Sequence, residues 1–206
     1  IFIIAGNHDY ICPESPYAQK DYFSDNVHIF PDFDYTFEIP EKNTVIYGKS
    51  YNSTVTKASF TDMPLDENKI NIMCLHGDFN IAGDYTQISR EDLSSLPVNY
   101  AAMGHIHNGE IFEVGNVKCA YSGALDGTGF DDDGITGFIY GEITENETKL
   151  FPVSLSKRHY HNISCNINGE DTEKILQKLR SIVHSEDLYK ITLTGEISDE
   201  INTEFL

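Results

Sequence analysis

Residues 70–78 read Ile70-Asn71-Ile72-Met73-Cys74-Leu75-His76-Gly77-Asp78, a nearly continuous apolar run that ends in a histidine, a glycine and an aspartate. A second run, Ile1-Phe2-Ile3-Ile4-Ala5, leads in the same way into Gly6-Asn7-His8-Asp9. Apolar side chains on consecutive positions are typical of strands buried on both faces. Both runs therefore predict a layered α/β fold in which polar residues collect where the buried strands end.

Further short apolar or alternating segments, each bounded by Gly, Asn, Asp or Pro, predict a strand-rich chain. We expect strands at residues 2–5, 27–30, 35–39, 44–50, 71–76, 100–104, 110–114, 119–122, 137–143, 149–154, 159–166 and 189–194. One helix is expected between Ser89 and Pro97, and another over 171–183, where the apolar residues share one face. The second helix and its flanking strands form a β-α-β unit. We therefore expect two domains, 1–155 and 156–206.

The chain has 206 residues, and its 33 acidic and 14 basic residues give a formal charge of −19. This charge argues against a protein that coats nucleic acid through a basic face, whereas divalent metals can supply local positive charge to an enzyme that acts on phosphates. The four cysteines include no Cys-x-x-Cys pair, and no segment is typical of a secretion signal or a membrane span. We therefore expect a reduced, cytoplasmic protein without membrane attachment. Because both ends interrupt predicted elements, we also expect a fragment of a longer protein.

Three polar motifs follow predicted buried strands: Gly6-Asn7-His8-Asp9, His76-Gly77-Asp78 and Gly104-His105-Ile106-His107. Imidazole nitrogens and amide oxygens are suitable ligands for divalent metals, and two metals roughly 3.5–4 Å apart commonly hydrolyse phosphate esters. Each motif alone is weak, because Gly, Asn and Asp also favour ordinary turns. Three motifs in this order, each behind a buried strand, indicate a metal-dependent active site.

The order GNHD, HGD and GHIH resembles the second half of the calcineurin-like metallophosphoesterases. The longer strings over 100–107, 121–132 and 134–138 resemble the SbcD-like DNA repair exonucleases. The resemblance covers residues 1–155 and implies a layered α/β fold, a β-sandwich flanked by helices, followed by a small α/β capping domain. Two earlier motifs of that family, DxH and GDxxD, have no counterpart ahead of Gly6, so the resemblance implies an N-terminally truncated domain.

The resemblance also assigns metal ligands residue by residue. Asn7, His76 and His105 match ligands of a second divalent ion, and His107 matches a ligand of the first. The implied cofactors are two divalent ions, with Mn²⁺ expected. Because the other ligands of the first ion belong to the absent motifs, we expect that site to be incomplete and this chain alone to be inactive.

Catalytic roles and partners follow from the same resemblance. His8 matches a histidine that contacts the scissile phosphate and protonates the leaving oxygen, and Asp9 is expected to orient His8. The implied reaction is phosphodiester hydrolysis by a DNA exo- or endonuclease subunit in DNA repair. The implied partners are DNA, an SbcC-like coiled-coil ATPase and, in the full-length protein, a second copy in a homodimer.

Two other functions stay open on the sequence. One is a phosphomonoesterase or cyclic-nucleotide phosphodiesterase of the same superfamily, and the other is a non-catalytic assembly module. The run Asp131-Asp132-Asp133 lacks the ligand spacing of an EF-hand, so we expect a solvated turn there. Basic residues of the second domain are candidates for contact with backbone phosphates, a solvated helix face being the alternative: Lys157, Arg158, Lys174, Lys178 and Arg180.

Overall fold

The structure, a computed structural model, describes residues 1–19, 21–33, 35–55, 65–79, 87–132, 134 and 136–197. The strands in these ranges, numbered in chain order, are β1 (Phe2–Ile3), β2 (His28–Ile29), β3 (Tyr35–Ile39), β4 (Thr44–Gly48), β5 (Ile70–His76), β6 (Tyr100–Gly104), β7 (Glu110–Val114), β8 (Val117–Tyr121), β9 (Phe138–Ile143), β10 (Thr148–Val153), β11 (Tyr160–Asn166) and β12 (Leu188–Thr194). The helices are α1 (Arg90–Ser95) and α2 (Thr172–Ile182), and single 3₁₀ turns lie at Pro16–Ala18 and Pro40–Lys42. Each predicted strand and helix is confirmed, with ends shifted by one or two residues at most.

Six strands form the main sheet, in the order β3-β4-β5-β6-β8-β7. The central strands β4, β5, β6 and β8 are parallel, whereas the edge strands β3 and β7 are antiparallel to their neighbours. The other described strands form three pairs: β1 with β2 and β11 with β12 in parallel, and β9 with β10 antiparallel. This arrangement confirms the α/β fold class. Because parallel strands end at the same edge, the residues that follow β5, β6 and β8 come together there.

One face of the main sheet carries the larger hydrophobic core. Met73 and Leu75 of β5 are buried there with Ala101 of β6, beneath the fully buried Leu93 of α1. The helix begins where the sequence predicts, because the hydroxyl of Ser89 accepts a hydrogen bond from a backbone amide in the first turn. The short helix thus covers the strands that lead to the polar motifs.

The two apolar runs are buried less evenly than expected. In β5 every second residue is buried and the alternate residues are half-buried, while β1 is half-buried and Ile1 is 68% exposed. The prediction of strands buried on both faces is therefore wrong for β1 and β5. The strand that is buried throughout is instead β4, in which all five residues are buried and the ring of Phe30 packs against Gly48.

β11, α2 and β12 form the predicted β-α-β unit, which we call the second unit. Its core is small: Cys165, Ile167 and Ile175 are buried, and a few half-buried side chains pack against them. Asp171 caps α2 through a hydrogen bond that its carboxylate accepts from the amide of Lys174. The position of the domain boundary stays a prediction. None of the helices in the described ranges is long and apolar enough to cross a membrane.

Candidate active site

The three polar motifs meet at the carboxyl edge of the main sheet. They approach it from different parts of the chain: the first motif follows β1, His76 is the last residue of β5, and His105 follows β6 directly. A cavity of about 630 Å³ lies at this edge and is lined by all six predicted site residues, Asn7, His8, Asp9, His76, His105 and His107. The structure therefore brings together the residues that the sequence analysis singled out.

His76 occupies a closely fitted pocket. Its Nε2 lies 2.9 Å from Oδ1 of Asn7, and the ring of Tyr51 packs edge-on against the imidazole at 5.2 Å between centroids. Gly6 and Gly104 flank the imidazole so closely that a Cβ would lie 2.5 Å and 2.9 Å, respectively, from one of its atoms. The glycines of the first and third motifs are therefore needed to leave room for the histidine ring of the second.

Side chains that the sequence analysis missed fix the backbone at the end of β5. The side-chain oxygen of Gln87 accepts a hydrogen bond from the amide of His76 at 2.8 Å. The hydroxyl of Tyr51 donates to the carbonyl of His76 at 3.0 Å, and that of Tyr121 donates to the carbonyl of Gly77 at 2.8 Å. All three side chains are buried, so this edge of the sheet is held by hydrogen bonds that are protected from water.

His105 adopts an unusual backbone conformation. Its φ is 96°, in the left-handed region that residues other than glycine rarely adopt. Its ring lies 5.2 Å from that of His76, and the two planes are inclined by 71°. The third motif thus places a second imidazole beside the first.

Burial favours the neutral form of both imidazoles. Burial is the largest cause; together with the neighbouring imidazoles of His105 and His8, and against an opposing effect of Asp9, it lowers the pKa of His76 to about 4. Burial also lowers the pKa of His105. Both rings are therefore unprotonated at neutral pH, the state in which imidazole ligates a metal.

The carboxylate of Asp9 accepts hydrogen bonds from two groups of its own loop. Its Oδ1 accepts a hydrogen bond from the amide of Gly6 at 2.8 Å, and its Oδ2 accepts one from the hydroxyl of Tyr17 at 2.5 Å. Burial, together with this carboxylate, raises the pKa of Tyr17 to about 12, so the hydroxyl remains a donor. Asp9 therefore fixes the turn after β1, and its role in orienting His8 stays a prediction.

Asp132 is a site residue that sequence reasoning placed in a solvated turn. It is 5% exposed, and its Oδ2 accepts hydrogen bonds from the amide and the hydroxyl of Thr128, both at 3.0 Å. Its Oδ1 lies 3.0 Å from Nδ1 of His107. These hydrogen bonds, led by that from the Thr128 amide, hold the pKa of Asp132 below its ordinary value. The expected solvated turn is wrong for Asp132, while Asp131 is exposed and residue 133 lies outside the described residues.

The donor atoms around His76 fit a divalent metal. The 2.9 Å between Asn7 Oδ1 and His76 Nε2 is close to the spacing of neighbouring ligands on an octahedral ion bound at about 2.1 Å. Neutral imidazole and amide oxygen are also a chemically suitable pair for such ions. Among the described residues, no three His, Cys, Asp or Glu side chains are grouped so that they could hold a metal ion. The ligand roles of Asn7, His76, His105 and His107 therefore stay predictions.

A larger cavity, of about 790 Å³, lies away from these residues. It is lined by residues 67–69, 96–99 and 145–148, together with Asn116 and Lys118, next to the amino-terminal ends of β5 and β6. Its two lysines form ion pairs, Lys69 with Glu38 and Lys118 with Glu113. The smaller cavity is the better candidate for chemistry, because the imidazoles line it.

Comparison with known proteins yields one curated relative and no matching family model. The chain is 25% identical over 161 residues to the uncharacterized metallophosphoesterase YhaO of Bacillus subtilis (strain 168). The match covers 71% of this chain and 38% of the relative, so the chain spans well under half the length of that protein. The chain is thus similar to part of a protein that is named as a metallophosphoesterase.

Proposed function

We propose that this chain forms part of a metal-dependent phosphodiesterase that cleaves DNA, a nuclease subunit of the SbcD-like kind. The observation that carries the proposal is the convergence of Asn7, His8, His76, His105 and His107 on one cavity at the carboxyl edge of a parallel sheet. The similarity to a metallophosphoesterase supports metal-dependent hydrolysis of phosphoesters. The choice of phosphodiesters and of DNA rests on the longer sequence resemblance.

The proposed mechanism gives each of these residues a separate task. Asn7, His76 and His105 would hold one divalent ion, with Mn²⁺ the proposed metal, and His107 would contribute to a second. When bound, the ions supply Lewis-acid stabilisation of the charge that develops on the phosphate. His8 is exposed and lines the cavity, so it can reach a bound phosphate and donate a proton to the leaving oxygen.

Two exposed basic side chains are candidates for contact with a polyanionic substrate. Lys157 and Arg158 are exposed, and they follow Ser156, whose hydroxyl lies 2.5 Å from that of Thr136. Exposed cations of this kind bind backbone phosphates without reading sequence, so Lys157 and Arg158 are the contacts with DNA that we propose for this chain.

Other basic residues are less suitable for binding DNA. Lys174 pairs with Asp171 on α2, and Lys178 pairs with Glu170. The guanidinium of Arg90 lies over the rings of two aromatic residues, 5.4 Å and 5.5 Å from their centroids. Because several cations of the described residues already have acidic or aromatic partners, we propose that tight binding of DNA requires further parts of the protein, a second copy in a homodimer and an SbcC-like ATPase.

The test measures metal content and hydrolysis side by side in the full-length protein. Substrates are single- and double-stranded DNA, bis(p-nitrophenyl) phosphate as a small diester and p-nitrophenyl phosphate as a monoester, each with Mn²⁺. We expect cleavage of DNA and the diester. His8→Ala should keep the bound metal and lose about 10²–10⁴-fold in turnover, whereas His76→Ala should lose both metal and turnover. His184→Ala, an exposed histidine of the second unit, is the matched control.

The outcomes separate the competing functions. Hydrolysis of the monoester alone would identify a phosphomonoesterase. Absence of all Mn²⁺-dependent hydrolysis from the full-length protein would indicate an assembly module. Loss of metal in His8→Ala would contradict the division of roles between His8 and His76.

A further inference from the structure

We propose that Asp132 is a positioning residue for His107, and that the segment which carries Asp132 is anchored to β11 of the second unit. This inference rests on the proposed function in one respect: the orientation of His107 matters because His107 is the proposed ligand. The contact that motivates it joins Asp132 Oδ1 to His107 Nδ1 at 3.0 Å.

The chemistry of this contact decides which nitrogen of His107 carries the proton. An ionised carboxylate only accepts hydrogen bonds, and the carboxyl of an aspartate is ordinarily ionised at neutral pH. Nδ1 of His107 must therefore be the donor, so in the neutral ring Nε2 keeps its lone pair. A carboxylate on one imidazole nitrogen commonly prepares the other for a metal.

Burial differs sharply across this pair. The side chain of Asp132 is 4% exposed, whereas that of His107 is 72% exposed. The aspartate is thus fixed by its surroundings, while the histidine ring extends into the cavity with little packing to restrict its rotation. One hydrogen bond to a rigid carboxylate therefore has a large effect on where the ring points.

The segment before Asp132 is attached to the second unit. The side-chain amide of Asn162 in β11 donates to the carbonyl of Phe130 at 2.7 Å, and the rings of Phe130 and Tyr160 pack edge to face at 5.2 Å. Gly127 lies so close to the Tyr160 ring that a Cβ would be 3.0 Å from it. A displacement of β11 would therefore move this segment and, with it, the carboxylate that orients His107.

A second histidine–aspartate pair provides an internal control. His161 Nε2 lies 3.1 Å from Asp187 Oδ2, and the His161 ring stacks on Tyr189 at 4.9 Å. This pair has similar hydrogen-bond geometry, but it lies within the second unit, outside the cavity of the three motifs. Removing the charge of Asp187 therefore tests whether any loss of a carboxylate disturbs His107.

The experiment observes the imidazole nitrogens of the full chain by ¹⁵N NMR, at a pH where the rings are neutral, with His107 assigned through His107→Gln. We expect the Nδ1–H tautomer for His107. In Asp132→Asn the side-chain oxygen can still accept from Thr128, which turns the amide nitrogen toward His107 Nδ1, so we expect a shift to the Nε2–H tautomer. Asp187→Asn should leave the His107 tautomer unchanged. Asn162→Leu should give a mixture of tautomers, because it loosens the segment without touching either partner.

Manganese binding supplies a second measurement. We expect Asp132→Asn to weaken the binding of Mn²⁺ near His107 by about 10- to 100-fold, followed through the paramagnetic broadening of its signals. The same His107 tautomer in the unmodified chain and in Asp132→Asn would overturn the positioning role. An unchanged tautomer in Asn162→Leu would overturn the link to β11. Failure of Mn²⁺ to broaden His107 in the unmodified full-length protein would instead contradict the proposed function, while the tautomers would still decide this inference.

Discussion

Two regions of the molecule are built from parallel strands and a helix, but they hold their polar side chains differently. At the carboxyl edge of the main sheet, Gln87, Tyr51 and Tyr121 are buried and bond to the backbone that carries His76 and Gly77. In the second unit, the bonds that hold the ends of the strands lie near the surface, as between the amide of residue 159 and Asp187. The same local pattern therefore produces a rigid site only where a large core excludes water.

The largest expected effect is on the free energy of unfolding, because the two hydrophobic cores differ in size. Leu93→Ala removes a fully buried side chain from the larger core and should cost about 3–5 kcal/mol in unfolding free energy. Ile175→Ala removes the most buried side chain of the smaller core and should cost about 2–3 kcal/mol, because a small core can collapse around the gap.

Urea unfolding of the full chain measures both values. Leu125→Ala, at a position that is 63% exposed, is the control and should change stability by less than about 0.5 kcal/mol. Equal losses of unfolding free energy in Leu93→Ala and Ile175→Ala would show that the two cores are equally well packed.

A second test concerns the room around His76. Gly6→Ala places a Cβ where it would lie 2.5 Å from the imidazole, so the ring or the loop must move. A displacement of about 1 Å in a catalytic site can cost 10²-fold, and we expect a loss of about that size in kcat/KM of the full-length protein for bis(p-nitrophenyl) phosphate. Gly129→Ala, where a Cβ meets nothing within 4 Å, should retain the activity. Full activity of Gly6→Ala would mean that the site adapts more readily than its packing indicates.

The sequence predicts the elements of both regions well and the supports of the site poorly. Strands β3, β6 and β7 have their predicted ends, because alternation and turn residues act locally. The meeting of the motifs was also predictable, since parallel strands end at one edge. The contacts of Gln87 with His76 and of Asp132 with His107 were not, because 11 and 25 residues separate the partners and tertiary packing decides which side chains meet.

Removing a tyrosine hydroxyl tests, with a smaller expected effect, whether buried hydrogen bonds stabilise the fold more than exposed ones do. Tyr51→Phe removes the hydrogen bond to the carbonyl of His76, in a buried place, and should cost about 1–2 kcal/mol. Tyr189→Phe removes a hydrogen bond from the amide of His184 at the surface and should cost about 0.5 kcal/mol or less. Unfolding in urea compares the two variants, and a larger cost for Tyr189→Phe would reverse the ranking of the regions.

The smallest expected effect concerns the two helix caps, which differ in charge. The cap of α2 is the Asp171 carboxylate, whose pKa is lowered chiefly by the hydrogen bond from the Lys174 amide, whereas the cap of α1 is the hydroxyl of Ser89. Because the pKa of Asp171 is depressed by folding, its contribution to stability is present above its unfolded pKa and is lost as the pH falls through the folded value.

The protection factor of the Lys174 amide against hydrogen exchange should therefore fall on acidification below about pH 4. Asp171→Asn keeps a good capping residue without the charge and should remove most of this pH dependence. An equal loss of protection in Asp171→Asn would show that the first turn of α2 loosens for another reason.

The left-handed backbone of His105 sets stability against function at one position. A residue other than glycine in such a conformation costs about 1–3 kcal/mol, so glycine at position 105 would make the fold more stable while deleting an imidazole from the cavity. A search for thermostable variants that scored folding alone would accept this replacement early. Variants selected for activity should therefore retain histidine at position 105, whereas variants selected for stability alone should lose it.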